Sequence, residues 1–176
     1  MIREVQPADL AALADVAQRS YAHAFGDTMS PQQLKDELGL YRSEAYFRAG
    51  LNRDTVLVYA EGRRILGFAQ ITGVNLPELT PLPGDQLLDR LYVDPDAQGQ
   101  GIGRRLLTTA LAHPRLAGAK RVFLQVRWQN QRALNLYRSA GFTVAGRTRL
   151  GVGELQEDDD YIMMRPVAVR EPADVN

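Results

Sequence analysis

A single mixed α/β domain is predicted, and three features of the sequence predict it. Beyond residue 84 the hydrophobic pattern alternates strand, helix, strand, helix, strand. Thr55 to Ala60 and Ile65 to Gly73 read as two strands joined across Glu61-Gly62-Arg63, a hairpin signal. Finally, 176 residues with 45% hydrophobic content suffice for one substantial core.

The elements follow in chain order. Ile2 to Gln6 reads as a first strand. Leu10, Leu13, Val16, Ala17 and Tyr21 recur at the spacing of a half-buried helix over Ala8 to Phe25. Ser30-Pro31-Gln32-Gln33 combines a cap residue, a first-turn proline and a glutamine three residues after the cap, which is a capping box leading to Leu34, Leu38 and Leu40. Ser43 opens a further turn or helix through Leu51, and Pro77 to Gly84 is a proline-rich loop. Arg121 to Val126 alternates as a strand, and Asn130 caps a short helix that Gly141 ends. Tyr161 to Met164 reads as the last strand. The domain is expected over residues 1–166, with a weakly ordered tail over 167–176.

Composition narrows the chemistry. Lys plus Arg and Asp plus Glu both total 21, so no global field favours nucleic acid or a membrane surface. With no cysteine there is neither a disulfide nor a thiolate nucleophile, so any acyl transfer is direct or uses another nucleophile. No apolar run approaches a membrane span, and Met1-Ile2-Arg3-Glu4-Val5 lacks signal-peptide character, which leads to a cytoplasmic expectation.

The most informative stretch is Gln98-Gly99-Gln100-Gly101-Ile102-Gly103, between the apolar Leu91-Tyr92-Val93 and the helix-like Arg104-Arg105-Leu106-Leu107. Glycines at alternate positions allow backbone N–H groups to converge, and the following helix adds its unsatisfied donors and positive dipole end, which makes an anion cradle. A nucleotide-hydrolysing loop would end in Gly-Lys-Ser/Thr, whereas Ile102-Gly103-Arg104 stands here. A dinucleotide fingerprint would space its glycines G-x-G-x-x-G and place a carboxylate about twenty residues on, where Lys120 and Arg121 stand instead. Read alone, the run is also compatible with a Gly-rich turn that merely opens a helix.

Downstream comes Asn130-Gln131-Arg132-Ala133-Leu134-Asn135-Leu136-Tyr137-Arg138-Ser139-Ala140-Gly141-Phe142. With the Q-x-x-G-x-G run before it, the chain resembles the GNAT superfamily of N-acetyltransferases, whose corresponding motifs are Q/R-x-x-G-x-G/A and N-x-x-A-x-x-x-Y-x-x-x-G-F. The specific part lies between about Leu87 and Phe142. The resemblance implies a three-layer fold: a twisted, mostly antiparallel sheet of about six or seven strands, splayed between strands 4 and 5 and flanked by about four helices. It implies acetyl-CoA as cofactor. The backbones of Leu91, Tyr92 and Val93 would bind the pantetheine arm, Gln98, Gly99, Gln100, Gly101, Ile102 and Gly103 the pyrophosphate, and Asn130 would hydrogen-bond the cofactor. Tyr137 would face its sulfur as the acid that protonates the departing thiolate. No metal is implied.

The general base stays open. Many family members carry a glutamate where this chain has Leu87, and Asp89 is the available substitute, on the same strand face by alternation. An equal alternative pairs Asp89 with an arginine and leaves it without a chemical role. Glu61 and Glu78 read as solvated, and His23 and His113 as structural or exposed. The acidic run Glu157-Asp158-Asp159-Asp160 before Tyr161 reads either as a dock for a polycationic amine or as a solvated acidic turn, while Tyr21-x-x-x-Phe25-Gly26-Asp27-Thr28-Met29-Ser30, together with the Asp160-Tyr161-Ile162-Met163 ending, is loosely similar to the bacterial spermidine/spermine N-acetyltransferase branch. The expected acceptor is therefore a primary amine, a polyamine or other small cationic amine. Acetylation of a protein amino terminus or lysine, or a non-catalytic CoA-binding module, are the alternatives. A small-molecule amine is the expected partner, a homodimer is compatible with the sequence, and nucleic acid and membrane are not expected.

Overall fold

The computed structural model describes residues 1–148 and 160–167. Seven strands are hydrogen-bonded in the order β1-β2-β3-β4-β5-β7-β6. They are β1 (Ile2–Glu4), β2 (Thr55–Glu61), β3 (Arg64–Thr72), β4 (Asp85–Val93), β5 (Arg121–Val126), β6 (Thr143–Thr148) and β7 (Asp160–Pro166). The helices are α1 (Leu10–Phe25), α2 (Pro31–Tyr41), α3 (Glu44–Gly50), α4 (Ile102–Ala112), α5 (Pro114–Ala117) and α6 (Gln131–Ser139). The mixed α/β class and GNAT-type strand set expected from the sequence are both observed. The chain forms two compact units, one of Met1–Thr72 with Asp89–Leu111, the other of Gly73–Leu88 with the described part of Ala112–Asn176. β4 passes from one to the other at Leu88.

In the first unit, β1, β2 and β3 form an antiparallel meander, with Val58 opposite both Arg3 and Phe68. The turn between β2 and β3 works because Gly62 adopts φ +60°, which a side chain would resist. Leu10, Leu13, Val16 and Ala17 of α1 are completely buried and pack with Phe47 of α3 against Val56, Val58, Ile65 and Phe68. These residues are apolar at i, i+3, i+6 and i+7, so one face of α1 closes the core. α2 starts where the sequence places it: Ser30 Oγ accepts from Gln33 N at 3.2 Å, and Gln33 Oε1 accepts from Ser30 N at 2.9 Å. α3 is capped by Ser43 alone, whose Oγ accepts from Tyr46 N at 3.2 Å.

The second unit holds the parallel pairing of the sheet, β4 with β5, in the register Asp85↔Arg121, Gln86↔Val122 and Leu87↔Phe123. β5 is antiparallel to β7, and β7 to β6. Leu87, Phe123 and Ile162 form the core of one face, and Val74, Leu76 and Leu79 from the connecting segment lie over it. That segment reads as a loop from its prolines, yet its apolar residues cover the sheet. Arg121 clamps the buried Asp85 with two hydrogen bonds, and the pair holds that carboxyl below the usual carboxylate range. His113 has a structural part to play: its Nδ1 accepts from Arg115 N at 3.3 Å and caps α5. The acidic residues 157–159 and the tail from residue 168 lie outside the described residues.

Candidate active site

In the first unit the candidate cofactor segment is continuous: the last part of β4, a 3-10 turn at Pro95–Ala97, the Gly-rich loop and α4. Gly99 and Gly101 have φ +88° and +76°, so the alternate glycines of the motif are required by the backbone. A Cβ at either position would meet nothing within 4 Å, so both open on free space rather than on packed atoms. Gly101 O accepts the first helical bond, from Arg105 N at 3.1 Å, and places the amino-terminal turn of α4 directly after the loop. The donors of that first turn have no intrahelical acceptor, and the helix dipole adds partial positive charge. Ala97 and Ile102, only 4% and 2% exposed, pin the two ends of the loop, while Gln98, Gly99, Gln100 and Gly101 are exposed. This arrangement fits a pyrophosphate.

The strand before the loop is fixed by close packing. A Cβ at Gly67 of β3 would stand 2.7 Å from the carbonyl oxygen of Tyr92 and 3.3 Å from Cα of Val93. Only glycine allows β3 to lie this near the backbone of residues 92 and 93. The Tyr92 ring packs on Phe68 with centroids 5.7 Å apart. Asp89 is half-buried and its Oδ2 lies 3.5 Å from Arg90 Nε. Burial pushes the Asp89 carboxyl above the ordinary carboxylate value, Arg90 opposes the shift and Asp54 reinforces it. Asp89 therefore has the arginine partner that the sequence allowed, and Arg90 also donates to Tyr41 O at 2.8 Å and stacks 4.7 Å over the ring of Tyr46. Asp89 is thus a carboxylate made more basic by its surroundings.

In the second unit, α6 carries the other two candidates two turns apart on one face. Asn130 is its cap, with Oδ1 accepting from Ala133 N at 3.0 Å and its carbonyl accepting from Leu134 N at 2.9 Å. The cap uses the side-chain oxygen and leaves the amide N–H groups as donors. Tyr137 is 7% exposed, its ring edge-to-face with Phe142 at 5.9 Å. Gly141, at φ +87°, ends the helix as its sequence position indicates. Leu87, where the resemblance leads to the expectation of a glutamate, is 1% exposed in the apolar face with Phe123. Asp160 is buried too, and Gln125 Nε2 donates to its Oδ2 at 3.3 Å. The one described member of the acidic run is therefore part of the sheet.

The structure thus gathers Asp89, Leu91, Tyr92, Val93 and residues 98–103 on one segment, and Asn130 and Tyr137 on one helix. What the sequence does not reveal is the support beneath the loop, Asp94 with Arg19, which are 75 residues apart. An Asp before Pro signals only a turn. Among the described residues there is no cluster of three or more metal-ligating side chains, and no helix is long and apolar enough to cross a membrane.

Comparison with known proteins identifies the family and the fold. The family model described as Acetyltransferase (GNAT) family matches residues 10–142. An uncharacterized N-acetyltransferase of Mycobacterium tuberculosis is 30% identical over 155 residues, 87% of this chain and 94% of the relative. The [ribosomal protein bS18]-alanine N-acetyltransferase of Salmonella typhimurium is 34% identical over 156 residues, 89% of each chain. Among solved structures, PaiA N-acetyltransferase from Thermoplasma acidophilum, in complex with coenzyme A, superposes with a TM-score of 0.72 at 22% identity, covering 94% of this chain and 98% of that one. At that identity the superposition speaks for the fold.

Proposed function

Since the chain belongs to the acetyltransferase (GNAT) family, we propose that it transfers an acetyl group from acetyl-CoA directly to a primary amine, and that this amine is the terminal α-amino group of a protein or peptide. The acceptor class is carried by one observation: the full-length similarity to an enzyme that acetylates the alanine of a ribosomal protein. The polyamine expected from the acidic run has weaker support. Residues 157–159 lie outside the described residues, Asp160 is buried, and no relative matched above singles out the spermidine/spermine branch.

The chemistry follows from the residues. Acetyl-CoA supplies the acetyl group as a thioester. The amides of residues 98 to 103 and the first turn of α4 hold its pyrophosphate, the backbones of Leu91, Tyr92 and Val93 line up its pantetheine arm, and Asn130 donates a further hydrogen bond. An α-amine titrates near 8 and is partly protonated at neutral pH, so its proton must leave before the nitrogen can attack. Asp89 takes that proton, aided by the burial that raises its basicity. The new C–N bond forms as the C–S bond breaks, and Tyr137 gives its phenolic proton to the leaving sulfur. With no cysteine in the chain, no acyl-thioester of the enzyme intervenes.

Thiol release from acetyl-CoA, measured over a panel of a peptide with a free alanine terminus, a terminally blocked lysine peptide and spermidine, tests the reading. The free-terminus peptide is expected to give the highest kcat/KM, by about tenfold or more. Faster turnover of spermidine would restore the polyamine acceptor, and CoA binding without turnover of any amine would make the chain a binding module.

A further inference from the structure

Beneath the cofactor loop lies a charged joint that the chemistry above does not use. Asp94, the residue that follows β4, has a side chain with 0% exposure. Its Oδ1 accepts from Arg19 Nη1 and its Oδ2 from Arg19 Nη2, both at 2.9 Å. Arg64 Nη2 donates to Oδ2 at 3.1 Å, and the backbone N–H of Asp96 donates to Oδ1 at 3.1 Å. The N–H of Asp94 donates to Leu66 O at 2.9 Å. Beside it, Ser20 Oγ donates to the carbonyl of Val93 at 3.3 Å. Consecutive residues of α1, Arg19 and Ser20, thus tie down the last residue of β4 and the first residue after it. Arg19 is itself held by Asp15, one helical turn earlier, at 3.0 Å.

These bonds fix orientation as well as distance. A guanidinium fork on a carboxylate locks the plane of both groups, which a single lysine contact does not. The locked carboxylate caps the 3-10 turn at Pro95–Ala97, and that turn sets the direction in which Gln98 and the exposed glycines leave. Backbone donors that must converge on an anion bind it more tightly when held in place beforehand, because less order is lost on binding. We propose that Arg19 is a positioning residue for the pyrophosphate of acetyl-CoA, acting from α1 through its fork on Asp94. This rests on the acetyl-CoA reading above.

The test compares two acetyl donors, acetyl-CoA and acetyl-pantetheine, which lacks the pyrophosphate, together with calorimetric binding of CoA. Arg19→Ala is expected to raise the Kd of CoA about tenfold. It is expected to lower kcat/KM at least about threefold more for acetyl-CoA than for acetyl-pantetheine. Arg19→Lys, which keeps the charge but not the fork, regains melting temperature more than it regains CoA affinity. Arg121→Ala breaks the comparable clamp on Asp85 and is expected to affect both donors alike. Equal losses for the two donors in Arg19→Ala, or an unchanged CoA affinity, would overturn the proposal. Should Arg19→Ala not fold, the donor comparison in Arg19→Lys decides in the same way. Wild-type protein that binds no CoA would instead overturn the acetyl-CoA reading itself, and the proposal with it.

Discussion

Replacing Asp94 by Asn removes one buried charge while keeping the shape of the side chain, and Asn caps a turn as well as Asp does. In the folded chain this carboxyl titrates at about 2. Hydrogen bonds from Arg19 hold it down, burial opposes them, and the Asp96 N–H and Arg64 assist. Against an ordinary value of 3.8, and with 1.36 kcal/mol for each pH unit, the difference is worth about 2 kcal/mol at neutral pH. The arginines are 38% and 59% exposed, so water resolvates them once the carboxylate is neutralised. The cost accordingly stays near that value and below the 3–5 kcal/mol of a sealed pair that loses one partner. Because the folded value lies below the unfolded one, the contribution is complete above the unfolded value and is lost as the pH falls through the folded value. About half of it remains near pH 3. Urea unfolding of wild type and Asp94→Asn at about pH 7, 5, 4 and 3 measures this, with an expected midpoint difference of about 1 M at neutral pH that shrinks in acid. A difference that stays flat from about pH 5 to pH 3, or one below about 0.5 kcal/mol at neutral pH, would refute the assignment of that charge to the joint.

Three further outcomes concern the chemistry. Tyr137→Phe is expected to retain CoA binding while turnover falls by roughly one hundred to ten thousandfold in a thiol-release assay; a change within about threefold would make the ring a packing partner of Phe142 and nothing more. Gly101→Val places a β-branched residue at φ +76°, and calorimetry is expected to show CoA affinity weakened about tenfold or more. Its Cβ meets no neighbour, so the cost is the strain of the positive φ alone, and an undiminished affinity in the folded variant would remove the loop from the cofactor site. Asp89→Asn is expected to lower turnover and to abolish the acid-side inflection of kcat/KM against pH, which in wild type lies above the ordinary carboxylate value because burial raises it; an unaltered inflection would assign the base to another group.

The parts of this protein legible in its sequence are those fixed by near neighbours. Ser30 and Gln33 find each other across three residues, Asn130 reaches Ala133 within the same turn, and Gly99, Gly101 and Gly141 occupy backbone conformations that glycine alone takes easily. Distant partnerships leave no comparable trace. Arg19 and Asp94 look like ordinary surface charges until the fold brings them together, and Gly67 gives no sign that β4 will lie against it. The stretch from Pro77 to Gly84 reads as a loop because its prolines break the period, yet Leu79 within it, with Val74 and Leu76 just before it, still finds a sheet to cover. Acceptor identity was the least legible feature. The polyamine expectation drew on the charge of the acidic run, and charge in sequence does not distinguish a displayed carboxylate from one built into a strand, as Asp160 is.

The division of the chain at β4 carries a consequence for synthesis. Every residue of the first unit has been made once Leu111 leaves the ribosome, whereas the second unit waits for β7. Its opening stretch, Gly73–Leu88, is therefore present well before β5 and β7 exist to pair with it or to share its apolar face. During that interval Leu76, Leu79 and Leu87 lack the partners that will bury them. Nascent chains halted between Leu111 and β7 are the ones expected to aggregate or recruit chaperones, while the unit that carries the Gly-rich loop already has all its residues.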